Sequence, residues 1–224
     1  MLCYLHRYEG GGLVRKAFIS HTPTSLRFVP DGVFAQSDTS TIPASGHNVT
    51  IVPTAEVRSD TSVLARVQYA LVDMDTGNTV ARSSTPVTPV AGAGPATAQI
   101  GAIDGGGAID EGATILRSAA LFISRAKLWS LHSPAQYMLS ASLVNVSSNH
   151  TVDALNITIG LRHIDWNAPG GGFALNGVPL HLRGFSHHQD FGGVGAAVPD
   201  RVNLFRVNAL RSVGGNTWRT SHNP

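Results

Sequence analysis

Three runs of the chain alternate apolar and polar positions with a period of two. Val63, Ala65, Val67, Tyr69 and Leu71 form one set; Tyr137, Leu139, Ala141 and Leu143 form the second; Leu155, Ile157, Ile159 and Leu161 form the third. Alternation of that length predicts half-buried antiparallel strands, each with one face on a core. Gly, Pro and Ser punctuate the intervals, so residues 33–165 are expected to fold as a two-layer β-sandwich of immunoglobulin-like size. Residues 13–30 read as two short strands around a Thr/Pro/Ser turn. Residues 86–113 are small, nearly uncharged and carry the near-repeat GAID at 101–104 and 107–110. Asp104, Asp110 and Glu111 do not have the ligand spacing of an EF-hand, so this stretch reads as a loop between strands.

After about residue 166 the periodicity changes. PGGGFALNGVPLHLRG predicts a small hairpin leading into an apolar strand from Pro179 to Arg183. A polar, Gly-rich loop from Phe185 to Val198 follows. A helix is expected near Asp200–Val213, with Val202, Phe205, Ala209 and Val213 on its apolar side. Asp200 suits the first turn and Gly214–Gly215 the stop. Thr217–Thr220 reads as another strand. Strand, loop, helix and strand make a βαβ unit with parallel strands. One such unit is too small to be a domain and needs more of the same.

Composition narrows the function classes. Of the 224 residues, 42% are hydrophobic and 13% are charged. A chain so rich in apolar residues and so poor in charge is not a disordered one. Cys3 is the sole cysteine, which excludes a disulfide scaffold. No apolar run approaches the roughly 20 residues that span a bilayer. Sixteen basic and 14 acidic residues give a net charge of +2, too little for a polyanion-binding surface. Neither a nucleic-acid nor a membrane partner is expected. The opening MLCYLHRYEGGG is interrupted by Arg7 and Glu9 and lacks the apolar segment of a signal peptide. The ends read as those of a segment of a longer chain, and the compartment stays open.

FALNGVPLHLRGFSHHQDFGGVGAAVPDR, followed by GGNTWRTSHNP, resembles glycoside hydrolase family 2, and most of all its β-galactosidases. Phe173, Leu175, Asn176, Gly177, Pro179, Arg183, Gly184, His188, Asp190, Asn216, Arg219, Ser221, His222 and Pro224 fall in register with the family pattern. LWSLHSPAQY (128–137), GLRHI (160–164) and RYEGGGLVRKAFI (7–19) resemble upstream family runs in the same order. The resemblance implies a mainly β fold in three parts. Residues 1–32 would be the C-terminal strands of a jelly-roll sugar-binding domain. Residues 33–165 would be an immunoglobulin-like β-sandwich, and 166–224 the start of an incomplete (β/α)8 TIM barrel.

The chemistry is expected where two neighbouring parallel strands end, because barrel sites lie at the carboxyl ends of the strands. His188 and Asp190 follow the first predicted barrel strand, and Arg219, Ser221 and His222 close the second. By resemblance, His188 and His222 hydrogen-bond sugar hydroxyls, Asp190 accepts from another hydroxyl, and Arg219 holds the charges of the site. A neutral imidazole both donates and accepts, which suits a hydroxyl partner. His187 stands where relatives often carry asparagine. A zinc site built from His187, His188 and His222 is disfavoured, since adjacent residues on an extended run point opposite ways. Ser221 and His222 have no orienting third group for nucleophilic catalysis.

Retaining glycosidases need two carboxylates about 5–5.5 Å apart. The chain's three glutamates, Glu9, Glu56 and Glu111, all precede the barrel part, where the only acids are Asp190 and Asp200. The resemblance places the catalytic glutamates beyond Pro224. The expectation is therefore a segment of a retaining exo-glycosidase acting on a terminal β-galactoside or related sugar, inactive by itself, with no catalytic and no metal-ligating residue of its own. Any magnesium or sodium, as in some relatives, would be held outside this segment, and the resemblance admits a homo-oligomeric parent. The alternatives are a non-catalytic immunoglobulin-like binding or adhesion module and a β-glucuronidase or β-mannosidase relative. Sequons at Asn48, Asn145, Asn149 and Asn156 permit a secretory parent.

Overall fold

The computed structural model describes residues 24–37, 48–93, 112–168 and 170–221. The expected strands within residues 1–23, the GAID near-repeat with Asp104, Asp110 and Glu111, and His222 lie outside the described residues. The fold is mainly β: an immunoglobulin-like β-sandwich followed by a βαβ unit of the (β/α)8 type. The chain divides into two compact units, Thr22–Leu180 and one that contains His181–Pro224.

The first unit is the sandwich. One sheet has the order β1 (Arg27–Ser37), β2 (Asn48–Arg58), β6 (Thr114–Arg117), and β7 (Leu121–Ser124) also pairs with β2. The other runs β4 (Thr79–Ser84), β3 (Val63–Asp73), β8 (Tyr137–Asn145), β9 (His150–Ile159), with β5 (Thr88–Val90) on β3. All of these pairings are antiparallel. The inner faces carry the alternation read from the sequence: Ala65, Val67, Tyr69 and Leu71 of β3 and Tyr137, Leu139, Ala141 and Leu143 of β8 are buried. Opposite them lie Val49, Ile51, Ala55 and Val57 of β2. Full burial of such a side chain stabilises by about 1.5–3 kcal/mol, so these three strands form most of the core. The third alternating run is less buried, except for Leu161 past the end of the strand. Leu155, Ile157 and Ile159 pack only partly against the core because β9 borders its sheet.

The sandwich begins earlier than residue 33. Phe28 pairs with Val57 and Val33 with Ala55, so four residues of β1 bulge out against Glu56 alone. Asp31 takes a left-handed φ of 56° within that bulge. Beside it, a Cβ on Gly32 would stand 2.9 Å from the Val29 carbonyl oxygen. The two layers are tied at this edge by the Asp153 carboxylate of β9, which accepts from the Phe28 N–H at 2.9 Å.

A small three-stranded antiparallel sheet follows the sandwich within the same unit: β10 (Ile164–Asp165), β11 (Ala174–Leu175) and β12 (Val178–Pro179), the last two joined by a tight turn. Asn176 and Gly177 form the turn between β11 and β12, with φ of 52° and 74°. Positive φ at both central positions is the type I′ signature, and Asn-Gly is its preferred pair. The Asn176 amide reaches further. Its Oδ1 accepts from the His163 N–H at 2.9 Å and its Nδ2 donates to the Trp129 carbonyl at 3.0 Å. The family-like Asn-Gly is thus a joint between the hairpin and the Trp129 segment.

The second unit holds β13 (Gly184–His188), α1 (Asp200–Ser212) and β14 (Thr217–Ser221), with β13 and β14 parallel. The expected strand over 179–183 is corrected: β13 starts at Gly184, and Phe185 to His188 are strand residues rather than loop. The reason lies in Asn216. Its Oδ1 accepts from the Arg183 N–H at 2.8 Å and its Nδ2 donates to the His181 carbonyl at 2.9 Å. A side chain therefore occupies the place of a ladder partner before Gly184.

Helix α1 ends in a Schellman motif. The Gly215 N–H bonds the Leu210 carbonyl at 2.9 Å, the Gly214 N–H bonds the Arg211 carbonyl at 3.0 Å, and Gly214 has a φ of 80°. The helix face is also corrected. Val202 is half-buried as expected, but its stripe continues through half-buried Arg206 to buried Leu210, while Phe205, Ala209 and Val213 are exposed. Positions 202, 206 and 210 are as well spaced on a helix as 202, 205, 209 and 213. The arginine in the middle hides that stripe from a hydrophobic reading.

Candidate functional site

The pairing of β13 with β14 sorts the candidate residues by face. Gly184 lies beside Thr217, Phe185 beside Trp218, Ser186 beside Arg219, His187 beside Thr220 and His188 beside Ser221. Alternation then puts Ser186, His188, Arg219 and Ser221 on one face, and Phe185, His187, Trp218 and Thr220 on the other. His187 and His188 thus lie on opposite sides of β13. Among the described residues no group of three or more His, Cys, Asp or Glu side chains is arranged to hold a metal.

The first face is a hydroxyl-lined platform. Ser186 Oγ and Ser221 Oγ are 2.5 Å apart. Arg219 Nη1 donates to both, at 2.8 Å and 3.2 Å. Arg219 therefore rests on two hydroxyls, and none of its described contacts is a carboxylate. Guanidinium carries five N–H donors in a planar fork, so this anchorage fixes the group while occupying one of its nitrogens. His188 ends β13 and is exposed at its carboxyl end.

Asp190 stands two residues past the strand and is half-buried. The turn that carries it is held from both sides. The Gln189 N–H bonds the Ser221 carbonyl at 3.0 Å, and the Phe191 N–H bonds the Gly195 carbonyl at 3.0 Å. From α1, Arg206 Nη1 donates to the His188 carbonyl at 2.9 Å and Nη2 donates to the Asp190 carbonyl. Its Cζ also lies 4.8 Å from the centre of the Phe191 ring. The structure thus places His188 at the carboxyl end of β13 and Asp190 two residues beyond it, with Arg219 on the same face as His188 but in the middle of β14. The sequence reading missed Arg206 and Ser186. The 202–206–210 spacing was the available sign for the first, and the pairing register for the second.

The second face carries a ring stack. The His187 imidazole and Trp218 indole are 3.5 Å apart and 5° from parallel. His187 Nε2 is buried and has no hydrogen-bond partner. Burial, helped by the nearby Arg206 cation, lowers the imidazole pKa below its ordinary value. His187 therefore supports the strand pair as a neutral ring.

The chain is similar to a β-glucuronidase of Streptococcus agalactiae, at 32% identity over 108 residues, 48% of this chain and 17% of that protein. It is similar to a β-galactosidase of Thermoanaerobacter pseudethanolicus, at 36% identity over 94 residues, 42% of this chain and 12% of that protein. Among solved structures, a glycosyl hydrolase family 2 member from Bacteroides cellulosilyticus superposes with a TM-score of 0.69 at 25% identity, over 89% of this chain and 22% of that one. A β-glucuronidase of Bacteroides uniformis shares the fold, with a TM-score of 0.67 at 21% identity over the same shares. The matched stretches are therefore 17% and 12% of the two curated relatives' lengths. No protein-family model matches the chain.

Proposed function

We propose that this chain, whose sequence and fold match one stretch of glycoside hydrolase family 2 proteins, supplies the sandwich and the first βαβ unit of a retaining exo-β-glycosidase. In this reading His188, Asp190 and Arg219 line part of the sugar-binding rim, and the family resemblance assigns His222 a hydrogen bond to a sugar hydroxyl. The observation that carries it is the parallel register of β13 and β14, which puts Arg219 on the same face as His188, and His188 stands at the carboxyl end of its strand. That is where barrel enzymes bind and react.

The chemistry follows from the side chains. His188 offers a donor and an acceptor to a sugar hydroxyl, and the Asp190 carboxylate accepts from a second one. Arg219, anchored on Ser186 and Ser221, presents its remaining donors to a ring hydroxyl or to an acidic substituent. The acid/base and nucleophile of a retaining mechanism are two carboxylates about 5–5.5 Å apart. Glu56 is the one described glutamate, and it lies on β2 of the sandwich. The catalytic pair is thus assigned to other parts of the complete enzyme, and these 224 residues alone are expected not to hydrolyse glycosides. The substrate class is a terminal β-galactoside, on the HQDFGGVG run, with β-glucuronide as the alternative because relatives of both kinds are similar.

The test is an assay of the complete reading frame on p-nitrophenyl β-galactoside and p-nitrophenyl β-glucuronide. Hydrolysis with retention of configuration is expected. His188→Ala and Asp190→Asn should each lower kcat/KM by about 10²-fold, the scale of one or two lost hydrogen bonds to the sugar. Absence of hydrolysis on both substrates, or wild-type kinetics in both variants, overturns the reading.

A further inference from the structure

We infer that Arg206 is the positioning residue of this rim, a two-pronged clamp that reaches from α1 and fixes the turn carrying His188 and Asp190. The inference rests on the rim reading for its functional meaning and on geometry alone for its structural content.

The guanidinium of Arg206 spans the turn. One nitrogen holds the His188 carbonyl at the end of β13, and the other holds the Asp190 carbonyl two residues later. The Phe191 ring beneath the cation restrains the next residue. Three successive features of the turn therefore depend on one side chain that itself carries neither candidate sugar ligand. A planar fork suits two carbonyls at a fixed separation, whereas an ammonium is a single point of donation. Backbone bonds also restrain this turn, among them those from the Gln189 N–H to the Ser221 carbonyl and from the Phe191 N–H to the Gly195 carbonyl. Their two N–H groups are direct reporters of the clamp. Arg206 also sits in the stripe of α1 that leads to buried Leu210, so the helix delivers it from a fixed place.

The experiment measures amide hydrogen exchange in the full chain for wild type, Arg206→Ala and Arg206→Lys. Without the fork, Gln189 and Phe191 should exchange at least about tenfold faster, the effect of losing one charge-assisted hydrogen bond. The ladder amides of β13 and β14 should change less than about twofold. Arg206→Lys should lie between the two, with the Asp190 side of the turn still loosened. If Arg206→Ala unfolds the unit outright, Arg206→Lys decides alone: selective loosening supports the clamp, and wild-type exchange overturns it. Unchanged Gln189 and Phe191 exchange in both variants also overturns it. In the complete enzyme, Arg206→Lys should raise KM about 3–10-fold with a smaller change in kcat, as expected for lost substrate positioning. Loss of selective exchange refutes the clamp, while wild-type kinetics of His188→Ala refutes the rim and leaves the exchange result standing.

Discussion

Gly184 and Thr217 are paired so closely that any Cβ on Gly184 would overlap the Thr217 carbonyl oxygen. The contact is backbone against backbone, so neither side can yield by rotating a side chain. It opens the β13–β14 ladder, and every pair from Phe185–Trp218 to His188–Ser221 follows from it. Gly184→Ala should therefore part the strands and destabilise the βαβ unit by about 3 kcal/mol, the upper end for overpacking. Exchange at the β13 and β14 amides should rise with it, while the sandwich amides keep their protection. Wild-type protection in β13 would show that the strands do not need this close approach.

Asn176 holds its place by two separate properties, and substitutions separate them. Asn176→Gly keeps the left-handed φ and removes the bonds to His163 and Trp129. Asn176→Ala removes the bonds and adds left-handed strain. The glycine variant should cost the sandwich unit about 1–2 kcal/mol and the alanine variant about 1 kcal/mol more. Thermal unfolding followed by circular dichroism reads both. Equal losses in the two variants would mean that the turn relaxes out of its type I′ form.

These residues mark how much of the molecule was legible in its sequence. The inner faces of β3 and β8 stood out because period-two alternation and burial are the same fact seen twice. The βαβ unit was legible from its strand, loop, helix and strand pattern, and its Gly214–Gly215 stop from the helix signals. The start of β13 was not, because Pro179 to Arg183 is the more apolar run and pairing was settled instead by the Asn216 amide and the Gly184 approach. The helix face was misjudged for a related reason: Arg206 is a polar residue whose donors are spent on carbonyls, so it sits where a hydrophobic residue was sought. At the site, His188, Asp190 and Arg219 were named from the motif, but the Ser186–Arg219–Ser221 contacts depend on register between strands 33 residues apart. No local pattern encodes that distance.

An acid-sensitive joint is expected in the sandwich. Lys127 Nζ lies 2.9 Å from Asp73 Oδ2 and 3.0 Å from Asp75 Oδ2. The Asp73 carboxylate also accepts from the N–H groups of Asp75 and Thr76. The bond to Lys127, with these backbone N–H groups, lowers the Asp73 pKa against the opposing effect of burial, and the ammonium of Lys127 is raised in turn. A lowered carboxylate pKa stabilises the fold fully above the unfolded value near 4 and loses that contribution as pH falls through the folded value. The melting temperature of the first unit should drop from pH 5 to pH 3, and Asp73→Asn should flatten that drop while lowering the plateau. An unchanged acid profile in the variant would remove Asp73 from the account.

His187 should give the second unit the opposite kind of titrating group, a base kept neutral. Its ring stacks on Trp218, its Nε2 has no partner, and burial followed by the Arg206 charge lowers its pKa. The unfolded chain takes up a proton near pH 6.5 while the folded chain does not. Stability from this group is therefore level above that pH and falls as pH drops from about 6.5 toward the lower folded value. Amide protection factors of β13 and β14, corrected for intrinsic exchange, should be level from pH 8 to 7 and decline by pH 5.5. His187→Phe keeps an aromatic partner for Trp218 and should abolish the decline. The His187 ring resonance supplies an independent check, since it should titrate below 6.5 in the folded chain. A midpoint at or above 6.5 would mean that water reaches Nε2 and would remove His187 from the account.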